Sequence, residues 1–160
     1  VLARPELAPP ATFVLTRAAL VERDLDVLAR LPNAYVGFSL PTDDDDVRAH
    51  FEPRAAPIGE RARVLRAFRA RGVRTFAMVQ PILTDDVDAL AKLLASCVDS
   101  VRIDVLRGVY GAADEFADPR YARWMDPALQ SARADALAAA LTARGVALWP
   151  DELPRELCMR

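Results

Sequence analysis

Four stretches of this chain run through β-branched or aromatic residues and stop on a polar or charged one: Leu15-Thr16-Arg17, Phe38-Ser39-Leu40, Val79-Gln80-Pro81 and Ile103-Asp104-Val105. In folds built from alternating strands and helices, ligands collect at the carboxyl ends of the parallel strands. Thr16 and Ser39 would bring hydroxyls to such an edge, Arg17 a guanidinium, and Gln80 an amide. Arg102 and Asp104 alternate onto one strand face, where they could form a structural ion pair or line a polar cavity. This chemistry binds and orients polar ligands. It is poor in groups that titrate near neutrality, because His50 is the sole histidine and follows an acidic run, where a solvated helix residue is expected.

Cys97 and Cys158 are too few and too far apart for a disulfide framework or a compact metal motif, and a reducing, cytoplasmic setting fits them best. Cys97, four residues after Leu93 in a helical pattern, reads as a small buried apolar residue. The run Asp43-Asp44-Asp45-Asp46 reads as the cap of a short helix ending at Phe51, since carboxylates near a helix N-terminus accept orphan amide hydrogens. Metal binding by this run is the sharper alternative, but adjacent carboxylates cannot all face one ion.

The elements that must hold these residues follow from periodicity. Strands are expected at Thr12–Thr16, Tyr35–Leu40, Val73–Gln80, Ser100–Val105 and Val146–Trp149. Helices are expected from Ala19 to Leu31, from Pro57 to a stop at Gly72, from an N-cap at Thr84, and from Asp126-Pro127 to Gly145. Residues 107–125 are irregular, and their aromatics Tyr110, Phe116, Tyr121 and Trp124 suit a covering loop that packs. The order is strand then helix, repeated, with a final strand. It predicts an α/β fold with parallel strands and helical crossovers, part of a (βα) TIM-type barrel. A closed eight-unit barrel takes about 250 residues, and this chain has 160. One domain is expected over 1–160: a linker at 1–11, core βα units at 12–105, a covering loop at 106–126, and a terminal helix, strand and tail at 127–160.

At 52% hydrophobic residues the chain can bury a real core. A formal charge of −2, from 21 basic and 23 acidic residues, gives no global basic field. Nucleic acid is therefore not signalled as a partner, although a local basic patch could still form. No apolar run reaches the ~18 residues of a membrane span. The opening Val1-Leu2-Ala3-Arg4-Pro5 lacks the order of a secretory signal, and the absence of an initial methionine is what an excised or truncated piece would show.

From about Thr12 to Thr84 the chain resembles the radical S-adenosylmethionine proteins of the spore photoproduct lyase type, often described as DNA repair photolyase-like. The residues that carry the likeness are Val14-Leu15-Thr16-Arg17, Val36-Gly37-Phe38-Ser39-Leu40, Phe51-Glu52-Pro53-Arg54 with Glu60-Arg61, and Gly72 with the strand into Gln80-Pro81-Ile82-Leu83. Beyond Thr84 the likeness fades to shared architecture, with Arg102-Ile103-Asp104 its most suggestive remnant.

The resemblance implies a partial barrel holding a [4Fe-4S] cluster on a Cys-x3-Cys-x2-Cys loop, with S-adenosylmethionine chelated to its open iron and cleaved to a 5'-deoxyadenosyl radical. It implies that Thr16 and Arg17 bind the cofactor, Arg17 at its carboxylate end, where the family has a lysine. Ser39 would contact the polar part of the cofactor, and Pro81, Ile82 and Leu83 would lie near the adenine. Gln80, Arg102 and Asp104 would face the substrate. Arg17 differs from lysine in reach and donor geometry, and could instead pair with a nearby acid such as Glu22. Glu52-Pro53 and Glu60-Arg61 read as a turn and a salt bridge that fix the loop before the helix.

No three-cysteine motif exists in the chain, so the cluster cannot be assembled in the family's way. The expectation is a C-terminal portion of such an enzyme, lyase-like and inactive alone, that needs a missing N-terminal half or a partner chain. Two other readings stay open. One is a cluster-free binding or interaction module on the same fold. The other is an unrelated barrel enzyme using Arg102, Asp104 and Asp151 for acid-base work.

Overall fold

The computed structural model describes residues 11–106, 108, 111–154 and 157. Five strands form one parallel sheet: β1 (Thr12–Thr16), β2 (Ala34–Ser39), β3 (Arg74–Val79), β4 (Ser100–Ile103) and β5 (Ala147–Leu148). They lie side by side in chain order, β1-β2-β3-β4-β5. The register sets Val14 beside Val36, Ser39 beside Met78 and Met78 beside Arg102. The order advances one strand at a time, without the reversal that defines a doubly wound sheet.

Alternation along the strands separates two faces. Val36, Phe38, Ala77, Val79 and Val101 point into a core shared with Leu28, Leu65, Phe68, Leu90, Leu94, Leu137 and Leu141. These come from α1 (Leu25–Leu28), α3 (Ile58–Ala70), α4 (Val87–Ala95) and α6 (Pro127–Ala143). The opposite face is filled toward its N-terminal end by aromatics. Phe13 stacks on Tyr35 at 4.5 Å, and Phe76 lies 4.9 Å from Trp149. Gly37 makes this possible, since a Cβ there would stand 2.5 Å from the Phe76 ring. Arg74 closes the layer by donating to Tyr35 Oη at 2.8 Å.

β1 pairs with β2, and among the described residues its other edge pairs with nothing. Leu15 (47% exposed) and Phe13 lie on one side of that edge, with Leu20, Val27 and Leu31 exposed in the segment that follows β1. A bare strand edge flanked by apolar side chains invites pairing with further chain.

Several expectations shift. The helix predicted over Ala19–Leu31 is a 3-10 segment (Ala19–Asp24) followed by the single turn of α1. No residue of the 3-10 segment is buried and no side chain caps it, so little offsets the cost of nucleating a longer helix. α2 (Asp45–Phe51) begins on Asp44, which accepts from the amides of Asp46 and Val47 at 2.7 and 3.4 Å, as the acidic run predicts. Pro57 is the N-cap of α3 rather than its first residue, and Gly72 takes φ 76° after its end. α4 is capped by Asp86, not Thr84, because Asp86 is placed to accept from Ala89 at 2.9 Å while Thr84 Oγ1 accepts from the amide of Asp86 at 3.1 Å. β3 and β4 end at Val79 and Ile103, leaving Gln80, Asp104 and Val105 just past the sheet.

The covering loop contains α5 (Ala113–Phe116) and a 3-10 turn at Ala122–Met125. Its Phe116, Tyr121 and Trp124 are buried with Val47 and Leu83 in a second apolar cluster, so these aromatics pack as expected. Tyr110 lies outside the described residues. Among the described residues, no helix is long and apolar enough to cross a membrane.

Candidate functional site

Two cavities meet at the carboxyl ends of β1, β2 and β3. The larger, about 590 Å³, runs between the end of β1, the α2–α3 turn and the covering loop. The smaller, about 360 Å³, lies over the sheet and is bordered by Leu15, Ser39 and Met78. Thr16, Arg17 and Gln80 border both. The larger volume is of the size that takes a small organic ligand or cofactor.

Thr16 ends β1, and its Oγ1 accepts from the amide of Ala18 at 3.0 Å, which turns the chain away from the sheet. That turn delivers Arg17, whose Nε donates to Glu52. Glu52 is the residue after α2, its amide donating to Arg48 O at 2.7 Å. The expected partner of Arg17, Glu22, instead binds Arg63 through two hydrogen bonds of 2.7 and 2.8 Å. The carboxyl of Glu22 is lowered mainly by the hydrogen bond from Arg63. The two terminal nitrogens of Arg17 have no hydrogen-bond partner among the described residues, and its side chain is 60% exposed.

Beneath Arg17 lies Arg61, fully buried. Its Nε donates to Ala56 O at 2.7 Å and its Nη1 to Ser39 O at 2.7 Å. Nη1 also lies 2.8 Å from Glu52 Oε2, close enough for an ion pair but without the alignment of a hydrogen bond. The salt bridge that fixes the loop before α3 therefore joins Arg61 to Glu52, not to Glu60. A single guanidinium ties the end of β2 to the start of α3 and to the carboxylate that holds Arg17. Asp45 reinforces the same junction, accepting from the Ile58 amide at 3.0 Å and from Arg48 Nε at 2.9 Å. Partial burial pushes the Asp45 carboxyl up, but these two hydrogen bonds and the Arg48 charge together outweigh it and hold it below its ordinary value.

Gln80 donates from Nε2 to Val105 O at 3.3 Å, and the Gln80–Pro81 bond is cis. Pro81 and Leu83 line the larger cavity, whereas Ile82 is fully buried and borders neither. The backbone of Ile82 is taken by Gln130, which accepts from its amide at 3.0 Å and donates to its carbonyl at 3.0 Å. The Leu83 amide donates to Pro41 O at 2.7 Å. Pro81 has no amide hydrogen and those of Ile82 and Leu83 are taken, so these three residues offer a base no free amide. Pro81 and Leu83 offer apolar contact surface instead.

Arg102 and Asp104 form an ion pair at 3.6 Å and border neither cavity among the described residues. Asp151 is exposed beyond β5, so the acid-base set of Arg102, Asp104 and Asp151 is not gathered in either cavity. His50 is not a solvated residue. Its Nε2 lies 2.8 Å from Glu115 O and its ring 4.6 Å from Tyr121, so it joins α2 to the covering loop. Cys97 is buried, and desolvation pushes its thiol up to about 11, which removes it as a nucleophile. No group of three or more His, Cys, Asp or Glu side chains capable of holding a metal ion occurs among the described residues. Cys158 lies outside them.

Phe51, Phe116, Arg54 and Gln130 shape the site without having stood out in the sequence as site residues. For Gln130 a signal was there: a single amide in the alanine- and leucine-rich run that becomes α6, fully buried in the structure.

No known protein family matches the chain. No solved structure matches it. A stretch of 75 residues, 47% of this chain, is 25% identical to an uncharacterized protein of Methanocaldococcus jannaschii. That stretch covers 29% of the relative, so the likeness spans less than a third of its length.

Proposed function

We propose that this chain is the C-terminal portion of a radical S-adenosylmethionine iron-sulfur enzyme, related to the spore photoproduct lyase type, built on part of a TIM-type barrel. The observation that carries the reading is the meeting of two chambers at Thr16, Arg17 and Gln80, at the carboxyl ends of consecutive parallel strands. Strands that advance in order with helices packed into one shared core fit a barrel segment better than a doubly wound sheet. The free edge of β1 is where further units would add.

The residues fit the organic cofactor. Arg17, steadied through Nε by Glu52, keeps two nitrogens for a carboxylate, a geometry in which a guanidinium excels. Ser39 borders the smaller chamber, its carbonyl fixed by Arg61. Pro81 and Leu83 give an apolar wall for the adenine, with Ile82 as the buried anchor behind them. When bound beside a reduced cluster, S-adenosylmethionine supplies hydrogen-atom abstraction. The cluster does not fit this chain, which has no three-thiolate set, so its ligands belong to an N-terminal half or a partner chain. What these residues do by themselves is bind and orient the cofactor, with Gln80 on the substrate side.

The test is calorimetric titration of S-adenosylhomocysteine, which needs no cluster, into the chain and its Arg17→Ala and Ser39→Ala variants. Saturable binding weakened about tenfold or more by Arg17→Ala, the loss of one charge-assisted contact, supports the reading. Absence of binding, or binding indifferent to both substitutions, refutes it and favours a cluster-free module with another ligand.

A further inference from the structure

The larger chamber has lining residues of two kinds: apolar side chains, among them Phe51, Leu106 and Phe116, and the cations Arg17 and Arg54. Among the described residues the only carboxylate lining it is Glu52, and that charge is already engaged by Arg17 and by the buried Arg61. Three guanidiniums thus stand against one carboxylate.

Arg54 has no hydrogen bond or ion pair among the described residues, in a protein whose arginines are mostly matched to acids or acceptors. Its backbone is nevertheless well held. It sits within a tight turn closed by the Ala55 amide donating to Glu52 O at 3.0 Å. The same turn is clamped from α2 by Arg48 Nη1, which donates to Glu52 O at 3.4 Å and to Ala55 O at 3.3 Å. A cation carried on a held turn at the lining of a largely apolar chamber, with no counter-ion among the described residues, is the arrangement that selects an anionic ligand with an apolar body.

We infer that the larger chamber takes a small organic anion, a carboxylate or phosphate monoester on a ring-sized apolar body, and that Arg54 binds its anionic group. In the enzyme this ligand is the substrate, an assignment that rests on the function proposed above; the binding itself does not.

The probes are 2-naphthoate, 2-naphthyl phosphate and the neutral 2-naphthamide, titrated calorimetrically into the chain and its Arg54→Met, Arg54→Lys and Arg30→Met variants. Arg30 is an exposed arginine outside the lining of the chamber and controls for loss of charge. The expected result is that at least one anion binds roughly tenfold or more tighter than the amide, as one charge-assisted pair allows. Arg54→Met abolishes that preference without changing the affinity for the amide, Arg54→Lys retains part of it, and Arg30→Met leaves it intact. The stronger anion tells carboxylate from phosphate. Failure of both anions to bind, equal affinity for anions and amide, or a preference that survives Arg54→Met overturns the inference. S-adenosylhomocysteine titrated into the same samples separates the two proposals. Its binding without an anion preference rejects the role of Arg54 alone, and an anion preference without its binding rejects the cofactor assignment alone.

Discussion

Arg61→Met should be the most damaging single change near the site. Arg61 is fully buried and, among the described residues, is the only group that touches Ala56 O, Ser39 O and Glu52 together, at 2.7, 2.7 and 2.8 Å. Methionine keeps most of the apolar stem and removes the charge. Hydrogen bonds from a charged donor contribute about 1.5–3 kcal/mol each, and removing one member of a buried ion pair costs about 3–5 kcal/mol. These overlap because one guanidinium makes all the contacts. Glu52 also keeps Arg17 and is 11% exposed, which softens its loss. The net cost should be about 4 kcal/mol. With a urea slope of roughly 2 kcal/mol/M for a domain of this size, the unfolding midpoint should fall by roughly 2 M. The assay is urea unfolding followed by circular dichroism and tryptophan fluorescence, with Glu52→Gln and the double variant completing a cycle. The two sites should couple by roughly 1–3 kcal/mol, as residues in one network do. A loss below about 1 kcal/mol in Arg61→Met, or strict additivity with Glu52→Gln, would refute the claim that this guanidinium ties the junction together.

Gln130→Leu keeps the volume of the side chain but strands the amide and carbonyl of Ile82 and the carbonyl of Trp124; at about 3 kcal/mol lost, the thermal midpoint should drop by roughly 6–12 °C. Gly37→Ala should destabilise by roughly 1–3 kcal/mol through collision with the Phe76 ring, and most of that cost should vanish in a Phe76→Leu background, measured by urea unfolding. Asp45 has a lowered carboxyl in the folded chain, so its stabilising contribution is complete above the ordinary carboxylate value and is lost as pH falls through the lowered one. Urea midpoints at pH 6 and pH 3 should therefore differ less in Asp45→Asn than in the parent chain.

The features legible in the sequence are those fixed by neighbours in the chain. Alternation placed β2, β3 and β4 to within a residue or two, Pro57 and Gly72 bracketed α3, and Asp126-Pro127 with Gly145 bracketed α6. Thr16, Arg17 and Gln80 border both chambers and Ser39 the smaller one. What was not legible depends on partners far away. Arg17 meets Glu52 across 35 residues rather than Glu22 close by, Gln130 reaches Ile82 across 48, and His50 meets the covering loop across 65. The helical spacing of residues 19–31 misled for a related reason. Periodicity records which side chains can share a face, and Val21, Leu25 and Leu28 do meet the core, but it does not set the helix type: Ala19–Asp24 winds as 3-10, without a side-chain cap, and Leu20, Val27 and Leu31 remain exposed.

Those exposed residues connect the fold to the proposed chemistry. Leu15 belongs both to the edge of β1, unpaired among the described residues, and to the lining of the smaller chamber. A strand added beside β1 would satisfy the free edge and wall off that chamber in the same step, while a following helix would cover Leu20, Val27 and Leu31. Under the function proposed above, the site must be closed to water and side reactions, and the strand that closes it would arrive with the segment that carries the cluster ligands. Under that proposal, assembly of the barrel and completion of the cofactor site would be one event. On this reading Leu15→Glu, on the exposed edge, should leave the melting of this chain nearly unchanged and yet weaken its association with the completing segment. A variant that melts normally and assembles normally would show that β1 is a true outer edge.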